Sequence, residues 1–361
     1  MAQMGFFDLS NRYASLDAKK DPLLEIDAVV PWEEFRPALE RIWRKPDTDR
    51  KSRAGQKPID AVLMFKTLVL SALYNLSDDQ IEYQIRDRLS FMRFLGLGLG
   101  DRVPDAKTVW LYRDALAQAG KVEELFQLFD HCPAGDCKAI CREGAISIDR
   151  ATSPAAGRSW MLPSCRCRAT TIRATRTRRS RRAKCPRVGQ ISPRNGCRRT
   201  SMRAGLKSTA KAIMGKKNHV NVDRKHKLVR RYHISDAALH DSQMLDHLLI
   251  RGNTGSGVWA DAAYRSEEME AKLCAQNLKS HIHRKGKRGK PLTEQAKGSN
   301  RTKSTVRVRV EHVFGAQTND MGGTLVRTIG LVRAKAKIGM KNLAYNMRRL
   351  CQLRRINPNP A

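Results

Sequence analysis

Acidic residues are scarce in this chain, and over one long stretch they are absent. From Arg150 to Gly215 there are 18 Lys plus Arg and no Asp or Glu, and the next acid is Asp223. Over all 361 residues, 35 acids face 69 Lys plus Arg, for a formal net charge of +34. Such a balance excludes a chain built for basic partners and points to an acidic one, of which nucleic acid is the commonest. Aromatics are few at 6%, and Trp160 is the only one between 150 and 215. No apolar run approaches the ~18 residues needed to cross a bilayer. The start, MAQMGFFDLS, lacks the charged and apolar segments of a secretory signal. A membrane or secreted protein is therefore not expected, and the expected compartment is the cytoplasm.

Cysteine is present but unevenly spread. Seven of the nine lie between Cys132 and Cys197. Their spacings do not form paired Cys-x-x-Cys arms, which argues against a structural zinc site. A reducing compartment argues against disulfides. What remains is ordinary globular composition, 41% hydrophobic and 29% charged, and a length that allows one to three domains.

Three regions differ in texture. Residues 1–130 read as helical. Trp32, Phe35, Leu39, Ile42 and Trp43 fall on one helical face. Ile59 to Leu73 is apolar on most sides, as in a buried central helix. Ser77 and Gln80 have the spacing of a capping box opening a helix over 78–89. Asp105 can cap a helix running towards Gly120. A plain helical bundle fits. So does a helix-turn-helix-like DNA-binding domain, since Arg86, Arg88, Arg93, Arg102, Lys107 and Arg113 crowd the later helices. Residues 131–215 form the basic stretch, which shows no sustained periodicity and buries too little apolar surface to offset chain entropy. Disorder is expected there. Residues 216–355 read as α/β. HVNV and LVRRYHIS flank the polar turn DRKHK, a hairpin signal. GVWADAAY ends its apolar run at Asp261, and Ser266 can cap a helix to Ala275. SHIHRK is another candidate strand, and 285–303 reads as a basic loop. Val306, Val310, Val313 and Phe314 make a helical stripe beside Glu311. A last helix is expected over 334–354, with Ile338, Leu343, Met347 and Leu350 inward and Arg348, Arg349, Arg354 and Arg355 outward.

Asp261, at a strand end, and Glu311, on a helix, can converge on one point. Hard oxygen ligands suit Mg²⁺, which keeps several waters and needs only one or two carboxylates. Two ions held close together could stabilise both oxygens of a phosphodiester displacement. On spacing alone the plainer alternative prevails, in which Asp261 merely ends a strand and Glu311 is a solvated helix residue.

The phrases ADAAYRS and RVRVEHVFGAQ, followed by GGTLVRTIGLVRAKAKIGMKNLAYNMRRL, closely resemble the DDE transposases of bacterial insertion sequences, specifically the insertion-sequence-five family. KNHVNVDRKHKLVRRYHISDAALHDSQ and the first 130 residues are similar to that family as well. The resemblance covers roughly four fifths of the chain. It implies an RNase H-like core in which three acids bind Mg²⁺ or Mn²⁺. Asp261 matches the second acid, with Tyr264 in its family-like position. Glu311 matches the third, and Arg307 matches the arginine of the signature around that glutamate. The signature's tyrosine and lysine positions hold Ser304 and Thr318. The activity implied is cleavage of phosphodiesters at element ends, followed by attack of the freed 3′-hydroxyl on target DNA. The partners implied are double-stranded DNA, at element ends and target, and further copies of the chain assembled on it. Arg307, Arg348 and Arg349 are the candidate DNA contacts.

The first acid has no such match. The family places it in a phrase like GQIVDATIVP, which is not present. Asp149, in ISIDRAT, is the nearby carboxylate. A coding of Gly157 to Arg173 moved back one base reads GQIVDATIVPVPRNDYS, and Thr200 to Gly215 shifted in the same way reads DVDARWTKKHGKSHYG, leading into KNHVNVD. Only the first base of each shifted codon is a free wobble base, so recovery over this length is not the expectation for chance text. On this reading the central segment is frameshifted, and the codon of the first aspartate straddles Trp160 and Met161. The expected organisation is thus a helical N-terminal domain (1–130, DNA-binding), a corrupted, disordered basic segment (131–215), and an RNase H-like mixed-sheet α/β catalytic region (216–355). The expected protein is a transposase that binds DNA but is disabled in catalysis. The competing class is a non-catalytic DNA-binding protein regulating its own element.

Overall fold

The fold is taken from a computed structural model, which describes residues 8–43, 58–131, 160–162, 164–166, 206–208, 211–213, 216–236, 238–250, 257–286, 289, 291–323, 326 and 328–356. The N-terminal part is helical: α1 (Asp8–Ala18), α2 (Pro22–Val29), a 3-10 turn (Trp32–Phe35), α3 (Arg36–Trp43), α4 (Ala61–Tyr74), α5 (Asp78–Asp87), α6 (Leu89–Leu95), α7 (Ala106–Gln118) and α8 (Val122–His131). Helix α4 is the buried centre, as its all-round apolar sequence requires. Asp60 starts it by accepting from the backbone N–H groups of Val62 and Leu63, and Asn75 ends it in the left-handed region. Phe65 of α4 meets Trp32 edge-on at 6.0 Å, and Phe94 meets the same indole at 5.7 Å. The capping box at Ser77 and Gln80 is formed in both directions. Asp105 starts α7 without a side-chain cap bond, its carboxylate accepting instead from the Thr108 hydroxyl.

The second part is a mixed sheet. Its strands are β1 (Trp160–Leu162), β2 (Ser164–Arg166), β5 (Lys216–Asp223), β6 (Val229–Asp236), β7 (Gly257–Ala260) and β8 (Lys279–Ser280). The strands β3 (Leu206–Ser208) and β4 (Lys211–Ile213) pair only with each other. β5 and β6 form the expected hairpin. β1 and β2 lie antiparallel to β5 in one continuous register, from Trp160 opposite Asp223 to Arg166 opposite Lys217. β1 is parallel to β7, with Leu162 beside Ala260, and β7 is parallel to β8. Across the sheet the order is β6, β5, β1 with β2, β7, β8. The helices of this part are α9 (Leu245–Leu248), α10 (Glu267–Ala275), α11 (Glu294–Asn319) and α12 (Leu331–Ile356).

Two expectations are corrected here. The segment 285–303 is not a loop throughout, because α11 starts at Glu294, with the Thr293 hydroxyl accepting from Ala296 N–H. The expected disorder of 131–215 does not hold for the strand pieces at 160–162, 164–166, 206–208 and 211–213. β5 and β7 each present ladder groups to the space between them. An extended segment satisfies those groups through its backbone, whatever its side chains. The remainder of 132–215, including Asp149, lies outside the described residues.

The long helix α12 joins the two parts. One apolar core runs from α2, α4 and α7 through Met340, Leu343, Met347 and Leu350 of α12 to Val220, Val222 and Val229 of the hairpin. Polar clamps fix the register inside it. Asn346 accepts from Val229 N–H at 2.9 Å and donates to Val229 C=O at 2.7 Å. Asn342 accepts from Asn218 at 3.1 Å and from Gln317 of α11 at 2.9 Å. These amides are buried and paired, so they set alignment between elements as well as adding cohesion.

Candidate active site

The short apolar run of β7 ends at Asp261, which turns the chain into a 3-10 turn over Ala262–Tyr264. Its Oδ1 accepts from Ala262 N–H at 2.8 Å. Tyr264 is fully buried, and its hydroxyl lies 2.9 Å from His219 Nδ1. The other ring nitrogen, Nε2, lies 2.8 Å from the Ser235 hydroxyl. The turn carrying Asp261 is thereby tied to β5 and β6 through one imidazole. Burial pushes the His219 pKa down to about 4, so the ring is neutral at neutral pH and can both donate and accept.

α11 crosses this strand end and presents Arg307 and Glu311 one turn apart. Arg307 Nη1 lies 3.2 Å from Asp261 Oδ2, and Nη2 lies 4.0 Å from Glu311 Oε1. One guanidinium thus gathers the two carboxylates that the sequence singled out. His283 completes the cluster from the chain just past β8. Its N–H donates to Ala260 C=O at 3.1 Å, and its Nδ1 stands 4.0 Å from Asp261 Oδ1. Burial lowers the His283 pKa, Arg307 lowers it further, and Asp261 opposes both. Its Nε2 is buried without a hydrogen-bond partner among the described residues. Beside this cluster Trp259 and His281 stack at 4.3 Å, with Arg224 over the indole at 5.7 Å. Gly257 allows that stack, since a Cβ there would lie 2.4 Å from the Trp259 ring.

The other expected positions fare differently. Arg348 is ion-paired to Asp320 at 3.1 Å. Arg349 turns inward, donating from Nε to His226 C=O at 2.8 Å and from Nη1 to Gln352. The Thr318 hydroxyl bonds back to Phe314 C=O of its own helix at 2.8 Å, so it does not act in a lysine's place. In the N-terminal helices Arg86 pairs with Glu82, Arg93 with Asp17, and Arg113 with Asp78 through both nitrogens. Half of the basic residues that suggested a DNA-reading face are therefore engaged within the fold. Asp149 lies outside the described residues. His219 and His283 were not singled out from the sequence. The alternation in SHIHRK was the available signal, since a strand there puts His281 and His283 on one face.

Among the described residues no group of three or more His, Cys, Asp or Glu is arranged to hold a metal ion. The donor chemistry still fits one hard divalent cation. Asp261 and Glu311 both carry carboxylate oxygens, the hard ligands that suit Mg²⁺, and in this structure both face the Arg307 guanidinium. The strand beside β7 could supply a further carboxylate. β1 runs there as Trp160, Met161 and Leu162, residue types without one.

Residues 10–115 match the Transposase domain (DUF772), and residues 169–347 match the Transposase DDE domain. The transposase for insertion sequence element IS1106 of Neisseria meningitidis serogroup B is 25% identical over 236 residues, covering 65% of this chain and 75% of that protein. No solved structure matches the chain. The helical N-terminal part, the α/β part and these matches place the chain among the DDE transposases of insertion sequences. That family generally uses divalent metal ions.

Proposed function

We propose that this chain is a DNA-end-binding transposase with an RNase H-like core, of a lineage that cleaves element ends and joins them to target DNA, and that in this sequence the catalytic step is lost. The observation that carries the reading is the gathering of Asp261 and Glu311 on Arg307 at the end of β7. It supports their assignment as the second and third acids. Arg307 orients both carboxylates and, once they turn to a cation, is free to meet a DNA phosphate. Divalent metal, when bound, supplies Lewis acidity to the phosphoryl oxygens and activates the attacking water. Asp261 and Glu311 would hold it, with His283 Nδ1 4.0 Å from Asp261 Oδ1 on the β8 side.

The loss of cleavage rests on β1. β1 runs parallel to β7, with Leu162 beside Ala260; on this reading the first acid would stand on that strand, yet Trp160, Met161 and Leu162 bring no carboxylate. The shifted frame encodes aspartate across Trp160 and Met161, within this strand. That coincidence supports the frameshift, and it favours a DNA-binding, non-cleaving protein over an active enzyme. Asp149 is a further candidate carboxylate.

The test is Mg²⁺-dependent nicking of duplex DNA carrying the element's terminal repeats. The chain as written should bind the DNA without nicking it. A chain with residues 157–215 replaced by the shifted-frame text should nick, and Asp261→Asn or Glu311→Gln in that background should abolish nicking. Cleavage by the chain as written that vanishes in Asp149→Ala would overturn the frameshift reading and make Asp149 the first acid.

A further inference from the structure

We propose that the cleft between the α7–α8 turn, β6 and the start of α12 binds a tetrahedral oxyanion of the phosphate class. The cavity measures about 580 Å³ and lies on the sheet edge away from β7. Four of its lining residues can carry positive charge: Arg231 and His233 of β6, His247 of α9 and Lys335 of α12. Its one acid, Glu123, is already engaged by the Tyr232 hydroxyl and by Gln127 Nε2 at 3.4 Å.

The donors are unspent. The imidazoles of His233 and His247 stack face to face at 4.6 Å and 15°. Among the described residues, neither ring nor the Lys335 ammonium has a hydrogen-bond or ion-pair partner. Arg231 gives one N–H to Leu249 C=O at 2.9 Å and keeps others of its five. A cation is excluded by Lys335 and Arg231. A neutral ligand would leave the ammonium charge unmatched. An oxyanion accepts from several N–H donors at once and offsets the charge. It also relieves the stacked pair, because an imidazolium there is otherwise opposed by its neighbours. Burial, His247 and Lys335, in that order, hold His233 below its ordinary value. The groups facing that ring are thus His247 from α9, Lys335 from α12, Arg231 on its own strand and the engaged Glu123 from α8. Occupancy should therefore tighten as pH falls and an imidazole takes up a proton. The phosphate can belong to duplex DNA, in which case the inference extends the DNA-binding reading above, or to a free anion.

The experiment uses the intact chain. Sulfate, whose charge is constant between pH 6 and 8, is titrated calorimetrically, and a short duplex is titrated by fluorescence anisotropy over a salt series. We expect one sulfate per chain, binding several-fold tighter at pH 6 than at pH 8. Affinity should fall at least ten-fold in Lys335→Ala and be largely kept in Lys335→Arg. A salt slope for DNA shallower by about one in Lys335→Ala would assign the phosphate to DNA. An unchanged slope with lost sulfate binding would assign it to a free anion, and the site stands either way. Sulfate affinity that is absent, independent of pH, or indifferent to Lys335→Ala overturns the inference. Failure of the wild-type chain to bind DNA would instead overturn the DNA-binding reading, with the sulfate titration still deciding the site.

Discussion

Replacing Asn346 by Leu should weaken the hold of the sheet on the helix that supports it. Asn346 is buried and makes two short bonds to the backbone of Val229, one in each direction. Leucine has similar volume and fits an apolar neighbourhood that includes Met347, Leu350 and Val229. The cost is therefore electrostatic rather than steric. The Val229 N–H loses its side-chain acceptor inside the core, at about 1–3 kcal/mol, and the bond to the carbonyl adds about 1 kcal/mol more. The sum, about 2–4 kcal/mol, is a large share of the ~5–15 kcal/mol that holds a typical domain. Urea unfolding followed by far-UV circular dichroism measures it as a lowered midpoint. Arg348→Ala is the control on the outer face of the same helix. Its ion pair with Asp320 is partly solvated, so its loss should cost under about 1 kcal/mol. An Asn346→Leu midpoint indistinguishable from wild type would refute the claim that these amides fix the helix to the sheet.

Two further outcomes follow from the same structure. His219 is held neutral with a pKa near 4 and titrates near 6.5 once unfolded, so stability is full above pH 6.5 and declines as pH falls from there towards 4, by about 3 kcal/mol. His219→Gln should flatten that decline, and an unchanged slope in pH-dependent urea unfolding would exclude His219 as its source. Duplex DNA binding should weaken steeply as salt rises, because a chain of net charge +34 displaces counterions from phosphates; anisotropy titrations that show salt-insensitive binding would count against phosphate contacts as the main attraction.

Much of the local structure was legible because its signals are local. Ser77 with Gln80, Ser266 before its helix and the polar turn of the hairpin each act within a few residues, and each forms as read. The wording around Asp261 and Glu311 pointed to both, and the structure brings both to Arg307. The start of α11 was not, because in its first turns only Ala296 is buried and no apolar period marks them. Arg349 was placed outside by helical phase, yet its flexible stem lets the guanidinium reach His226 C=O. His283 was missed because its relation to Asp261 runs across strands, a distance that sequence spacing does not encode. The same holds for Arg93 with Asp17 and Arg113 with Asp78, pairs that only the fold brings together.

The position of α12 has a consequence for synthesis. The surface of α4 and α7 that it covers is complete by residue 118, but the covering helix is made only from residue 331 onward. At ~5–20 residues per second the ribosome needs on the order of ten to several tens of seconds to cross that gap. Throughout that interval the nascent N-terminal helices lack the partner that closes their core. The wait leaves that apolar surface open to holding chaperones, and it ties the closing of the first domain's core to the ribosome reaching the end of the second.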